Sequence, residues 1–233
     1  MKEKLISVFS KYGFTLSELQ IEQFIKYYQY LIQENEKFNL TAITEAEQVI
    51  VKHFLDSVLP IKEFSKNAWL IDVGSGAGFP GLPIKIMRPD LHIVLLDSLQ
   101  KRVNFLNECI SLLKLDNIEA VHFRAEDYVK LKREKFDYAV SRAVAQTDTL
   151  VEYLLPYIKV GGKACLYKSH KIEEELPQAK VAIKTLGGEF DKTLSFNLQE
   201  SESERNIAFI KKVHQTPIKY PRGKNLPKIK PIN

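Results

Sequence analysis

Apolar and polar positions follow two rhythms along the chain, and the change of rhythm divides it. In "TLSELQIEQFIKYYQYLIQENEKF" the residues Leu19, Phe24, Ile25, Tyr28, Leu31 and Ile32 recur at helical spacing, and Ser17 with Gln20 forms a capping box at its start. "TEAEQVIVKHFLDSVLP" reads as a second helix, with Thr44 and Glu47 as its box and Pro60 closing it. Short apolar runs of strand type follow: "AWLIDV", "HIVLLD", "IEAVHF", "FDYAVS", "KACLYK" and "NIAFIKK". Between them lie crossovers such as "SLQKRVNFLNECISLLK" and "TDTLVEYLLPYI". Strands alternating with helices predict a parallel sheet with right-handed crossovers and helices on both faces. The expected organisation is a helical N-terminal extension over 1–60, one α/β domain over 61–212 and a tail over 213–233.

Composition narrows the class. The 233 residues are 45% hydrophobic, enough for a buried core. Cys109 and Cys165 give neither a disulfide framework nor metal-ligand spacing, as expected of a reducing cytoplasm. "MKEKLISVFSKYG" lacks the apolar run of a signal peptide, and no apolar stretch approaches the ~20 residues that span a bilayer. The net charge of +5 is unevenly placed. From residue 211 onward stand Lys211, Lys212, Lys219, Arg222, Lys224, Lys228 and Lys230 with no acid, among Pro217, Pro221, Pro227 and Pro231. Such a segment is expected neither to form a helix nor to bury itself. It reads either as an arm that neutralises nucleic-acid phosphates or as a solvated tail.

The stretch "DVGSGAGFPG" at 72–81 carries two glycine patterns. Gly76, Gly78 and Gly81 spell the dinucleotide fingerprint G-x-G-x-x-G, whereas Gly74, Gly76 and Gly78 spell G-x-G-x-G behind an acid. Asp72 separates them. A carboxylate beside a pyrophosphate would oppose two negative charges, while S-adenosyl-L-methionine carries a sulfonium and an ammonium that a carboxylate attracts. Asp97, at the end of the next strand, suits the two ribose hydroxyls of either ligand. Together they favour the methyl donor.

"NLTAI" at 39–43, "KHFLDSV" at 52–58, "IDVGSGAGFPGLPIKI" at 71–86, "SRAVA" at 141–145 and "YKS" at 167–169 resemble the RsmG (GidB) family, and the resemblance extends to the closing "RGKNLPKIKPI". It implies a class I S-adenosylmethionine-dependent methyltransferase fold, a Rossmann-like and mostly parallel seven-stranded sheet with "NIAFIKK" as its antiparallel last strand. It implies transfer of a methyl group to the N7 of a guanosine in 16S ribosomal RNA, as naked RNA or a small-subunit assembly intermediate, by a monomer in the cytoplasm. Carried over by position, it sets the donor against Gly74, Phe79, Ala125, Glu126 and Arg142. Glu126 suits an adenine amino group, and Asp127 is an equally suitable acid one residue on. Phe79 reads as packing on the donor or covering the sheet. Arg142, Lys168, Arg222, Lys224 and Lys228 are the candidate RNA contacts; Lys168 reads equally as a side chain snorkelling from the sheet edge.

What "SRAVA" replaces also carries information. Exocyclic-amine methylation commonly uses an Asn/Asp-Pro-Pro-aromatic loop at that position, and pyrimidine C5 methylation needs a cysteine nucleophile. Cys109 and Cys165 read as buried packing. Guanine N7 has an in-plane lone pair and no proton to remove, so alignment and electrostatics outweigh a general base, and none is expected. His53 and Asp56 read as a local ion pair or cap three residues apart, and Asn39 as a turn residue. A small-molecule methyltransferase, a nucleotide-dependent oxidoreductase and a non-catalytic RNA-binding module are the competing classes.

Overall fold

The computed structural model describes residues 1–142, 145–168, 172–198 and 203–232. Its centre is a seven-stranded sheet: β1 (Trp69–Val73), β2 (His92–Asp97), β3 (Ile118–His122), β4 (Phe136–Arg142), β5 (Ile158–Lys168), β6 (Gly188–Leu198) and β7 (Ser203–Lys212). The order is β3-β2-β1-β4-β5-β7-β6, with β7 antiparallel to both neighbours. Crossover helices α5 (Gly81–Met87), α6 (Gln100–Leu112), α7 (Ala125–Lys132), α8 (Thr147–Leu154) and α9 (Ile172–Thr185) join the strands.

Both faces of the sheet are buried, so alternate residues of one strand enter different cores. Leu70, Ile93 and Leu95 face the core shared with the N-terminal helices, while Ile71, Val94 and Leu96 face α7, α8 and α9. Continuous apolar runs such as "HIVLLD" are the sequence form of that burial.

The N-terminal helices α1 (Lys2–Lys11) and α2 (Glu18–Phe38) pack on the first face. The Ser17–Gln20 capping box forms as the sequence predicts, and Asn39 ends α2 in the left-handed conformation at φ 49. The segment read as one helix over 44–60 differs. It is α3 (Ala46–Val49), a π-helical stretch Ile50–Leu55, and α4 (Asp56–Val58). Glu45, not Thr44, occupies the N-cap without a side-chain bond, and Glu47 pairs with Lys4 instead of closing a box. The π turns add a residue to the repeat and thereby re-aim His53 and Asp56; such insertions recur at functional sites.

The C-terminal tail also departs from expectation. Thr216, Tyr220 and Pro227 are buried, and α10 (Leu226–Ile229) is a short helix with Pro227 in its first turn, where the missing amide costs nothing. An ion pair holds the tail: Arg222 contacts the wholly buried Glu152 through Nη2 at 2.7 Å and Nε at 3.0 Å. Lys212, counted among the tail charges, is fully buried against Leu155 O and Glu134.

An aromatic chain joins the extension to the sheet. Phe54 lies 4.9 Å from Phe24, 5.3 Å from Tyr27 and 6.2 Å from Phe79. Phe54→Ala should therefore cost about 3–5 kcal/mol. Because the core runs without a break from α1 to β2, urea should unfold the native protein in one transition that this variant shifts. Two separated transitions would show that the N-terminal helices fold as a unit of their own.

Candidate active site

Strand order reverses between β1 and β4, and ligands of such sheets bind in the crevice beyond the strand ends there. A cavity of about 540 Å³ opens at that point. The glycine loop forms its floor. Gly74, Gly76 and Gly78 all have positive φ, at 78°, 59° and 95°, which suits glycine and little else. The Gly74 and Ser75 amides donate to Leu96 O at 2.8 and 3.1 Å, clipping the loop to the end of β2. A Cβ at Gly78 would stand 2.7 Å from the Tyr27 hydroxyl, so the loop fits tightly under α2. Gly81 lacks positive φ but allows α5 to close on β1 and β2, since a Cβ there would meet Leu95 at 2.2 Å and Asp72 Oδ2 at 2.8 Å. The pattern of Gly74, Gly76 and Gly78 is thus the turn, and Gly81 is the packing contact.

Asp72 requires a correction. It does not line the cavity; its side chain is completely buried beneath the loop, where Oδ2 accepts the Gly81 amide at 2.9 Å. Oδ1 has no hydrogen-bond partner among the described residues. Burial raises its pKa to about 7, against the lowering effect of the Gly81 bond. Attraction to a sulfonium is not the role this geometry gives it, because a half-neutral carboxyl behind the backbone acts on the loop's shape. Gly78 likewise stands behind the wall.

The other seven expected donor residues, Gly74, Gly76, Phe79, Asp97, Ala125, Glu126 and Arg142, line the cavity. Asp97 is 2% exposed; Oδ2 accepts the Gly76 amide and Oδ1 the Leu99 amide, each at 2.9 Å. Oδ2 also meets Arg102 Nη1 at 3.5 Å, so Oδ1 is the oxygen that keeps a further lone pair for a ligand hydroxyl. Glu126, in the first turn of α7, takes Arg124 Nε at 3.0 Å, whereas Asp127 pairs outward with Lys130. Of the two acids, Glu126 lines the cavity and Asp127 does not. Arg124, Arg102 and Thr41 also line it and were not singled out in the sequence. Arg124 stands in "FRAED" one residue before the expected contacts, a position that could have marked it.

At the opposite wall, the guanidinium carbon of Arg142 stands over Phe79, 4.9 Å from the ring centre, and His53 stacks on the same ring at 4.4 Å. His53 and Asp56 are not a local pair. Asp56 is buried between Arg142, at 3.0 Å, and Arg205, at 3.0 Å. Burial first and Arg142 second lower the His53 pKa to about 3, so the ring is neutral. Arg142 Nη2 approaches Nδ1 at 3.2 Å and can only donate, so the ring proton sits on Nε2, 2.8 Å from Thr41 Oγ1. That tautomer leaves the 3.1 Å approach of Nδ1 to Lys52 O unbonded. Of the stretches "SRAVA" and "YKS", Ala143, Val144 and Ser169 lie outside the described residues.

The expected RNA contacts separate. Lys168 is partly buried, with its ammonium 2.7 Å from Glu175 and from Ala145 O, which it also donates to. Arg222 is committed to Glu152. Lys224 is exposed, and Lys228 is exposed at the cavity rim beside Asn225. Cys109 and Cys165 are buried as expected, with thiols pushed up by burial. Among the described residues no helix is long and apolar enough to cross a membrane, and no cluster of three or more ligating side chains could hold a metal.

A seven-stranded sheet with its last strand reversed, and an adenosine-sized cavity over a glycine turn at the switch point, define a class I methyltransferase fold. Solved structures share that fold. TYW2 of P. horikoshii in complex with MeSAdo superposes with a TM-score of 0.55 at 18% identity, over 68% of this chain and 61% of that one. The [4+2]-cyclase SpnF reaches 0.59 at 13% identity, over 85% and 97%. Likeness at this distance speaks for the fold alone. The sequence carries the family. Residues 20–215 match the GidB family model, described as rRNA small subunit methyltransferase G, and the chain belongs to that family. The ribosomal RNA small subunit methyltransferase G of Lachnoclostridium phytofermentans is 50% identical over 224 residues, 94% of this chain and 93% of its own length. That of Bacillus licheniformis is 46% identical over 234 residues, 99% and 98%.

Two measurements test the site. An unfolded aspartate loses its proton near pH 4 and the folded Asp72 near 7. The native state therefore holds the extra proton between those values, and its stability falls as pH rises through them. Asp72→Asn is neutral throughout, so its melting temperature should gain roughly 5 °C on the native protein between pH 5 and pH 8; a gap independent of pH would rule the buried carboxyl out as the cause. Asp97→Asn should weaken S-adenosylhomocysteine binding by about 1–3 kcal/mol, with turnover at saturating donor little changed.

Proposed function

We propose that the protein transfers the methyl group of S-adenosylmethionine to the N7 of a guanosine in 16S ribosomal RNA. The observation that supports this most directly is one cavity in a chain of this family: a glycine turn, a ribose-suited carboxylate at Asp97 and a purine-suited acid at Glu126 line a single space. Its size falls within the range of small-molecule sites, and the fit extends to Gly76, whose open backbone lets a ligand approach closely.

Bound S-adenosylmethionine supplies an electrophilic methyl group on a sulfonium. The residues of this chain hold and align. Asp97 would hold the ribose and Glu126 the adenine amino group, with Ala125 beside them at the start of α7. Arg142 is a fixed cation, paired with Asp56 and held over Phe79, and would offer its charge to the donor's carboxylate. Thr41, neutral His53 and Phe79 form the wall at which a guanine ring would stack and be oriented. A lone pair in the ring plane attacks without prior deprotonation, so this wall works by alignment.

Exposed Lys228 and Arg124 line the cavity, and with exposed Lys224 nearby in the chain they give an approaching RNA phosphates to meet. The enzyme is proposed to act as a cytoplasmic monomer on 16S RNA or on a small-subunit assembly intermediate. Nucleosides of small-subunit RNA from cells with and without the gene, analysed by mass spectrometry, test this reading. Loss of one 7-methylguanosine per 16S molecule, restored by the native gene but not by the Asp97→Asn/Glu126→Gln double variant, is the expected outcome. An unchanged 7-methylguanosine content would refute it.

A further inference from the structure

Two residues of the C-terminal tail, Asn225 and Lys228, stand on one side of the cavity. Asn225, at φ 59 before α10, places Oδ1 2.6 Å from Arg124 Nη2. The same guanidinium donates from Nε to Glu126 Oε1 at 3.0 Å. Asn225, Arg124 and Glu126 thus form one chain of bonds, running from the tail to the acid that meets adenine in the reading above. Asn225 and Lys228 themselves line the cavity.

The tail is fixed firmly enough to carry such a role. Thr149 Oγ1 donates to Pro227 O at 3.0 Å, and Arg222 bridges Glu152 and, at 2.8 Å, Lys230 O. Arg133 donates to Tyr220 O, and the Thr216 amide to Glu134 Oε1 at 2.9 Å. Arg124 is itself half exposed, and without a second anchor a long side chain of this kind keeps most of its rotamer freedom. Asn225 supplies the anchor. Its own conformation is one that asparagine tolerates and most residues do not.

We infer that Asn225 is a positioning residue for the methyl donor: the docked tail fixes Arg124, Arg124 fixes the Glu126 carboxylate, and the tail thereby sets how strongly the site selects adenine. The inference rests on the proposed donor site. It makes the tail part of a small-molecule pocket, whatever its exposed lysines offer to RNA.

Calorimetric titration of the full-length protein with S-adenosylhomocysteine and with S-inosylhomocysteine, which lacks the 6-amino group, tests it. Asn225→Gly removes the acceptor and suits the positive φ, while Asn225→Asp keeps an oxygen for Arg124. The native protein should prefer the adenosine ligand. Asn225→Gly should bind it about five- to tenfold more weakly and lose most of that preference, the size of one ordinary hydrogen bond. Asn225→Asp should restore both. A merely structural effect would weaken both ligands alike and leave the preference intact, which would overturn the inference. So would unchanged donor binding in Asn225→Gly alongside a reduced salt slope of RNA filter binding, the signature of a phosphate contact. If the native protein binds neither ligand, the donor-site reading itself falls.

Discussion

The bond from the Gly81 amide to the buried carboxyl of Asp72 holds the start of α5 against the end of β1, and the glycine turn is suspended between them. Everything in the cavity is referred to that turn. The Gly76 amide reaches Asp97 only because the loop folds back over β2, and Phe79 reaches Arg142 and His53 because the loop exits toward α2. The arrangement has a cost, since it leaves one carboxyl oxygen buried without a partner among the described residues. Neutralisation near pH 7 lessens that cost without removing the bond, because the carboxyl still accepts through its carbonyl oxygen.

A second constraint works across the cavity. Asp56 gathers Arg142 and Arg205, and its place depends on the π turns of Ile50–Leu55. The extension therefore does more than cover the sheet: it delivers His53, Thr41 and the counter-charge of Arg142 to the site. A helix of ordinary pitch through the same residues would rotate His53 and Asp56 away from one another's present partners.

Much of this was legible in the chain. Strand-type runs marked six of the seven strands, and the residues ending β1 to β4 located the site because a parallel sheet binds ligands there. The strand that was missed, β6, carries Leu194, Phe196 and Leu198 in alternation with Ser195 and Asn197, but Phe190 and Asp191 sit at a register shift that breaks the pattern at its start. The role of Asp72 was misjudged for a different reason: charge at a strand end suggests attraction, whereas its depth beneath the loop is a tertiary fact. Arg222, Lys168 and Lys212 look alike in a list of cations, and only packing shows that Glu152, Glu175 and Glu134 already hold them. Composition likewise described the tail as prolines and lysines, and could not show Tyr220 and Pro227 finding room in the fold.

The place of β7 between β5 and β6 bears on how the chain assembles during synthesis. β6 leaves the ribosome before its only neighbour in the sheet exists, and β5 exposes an unpaired edge along Ala164, Cys165 and Leu166 until Ala208, Phe209 and Ile210 arrive. Such an edge is a template for pairing with a foreign strand. The hairpin of β6 and β7 closes it in one step, some twenty residues before the chain ends. A nascent protein halted short of residue 212 therefore carries an intact glycine turn beside an open sheet, and its hazard is aggregation before it is loss of activity.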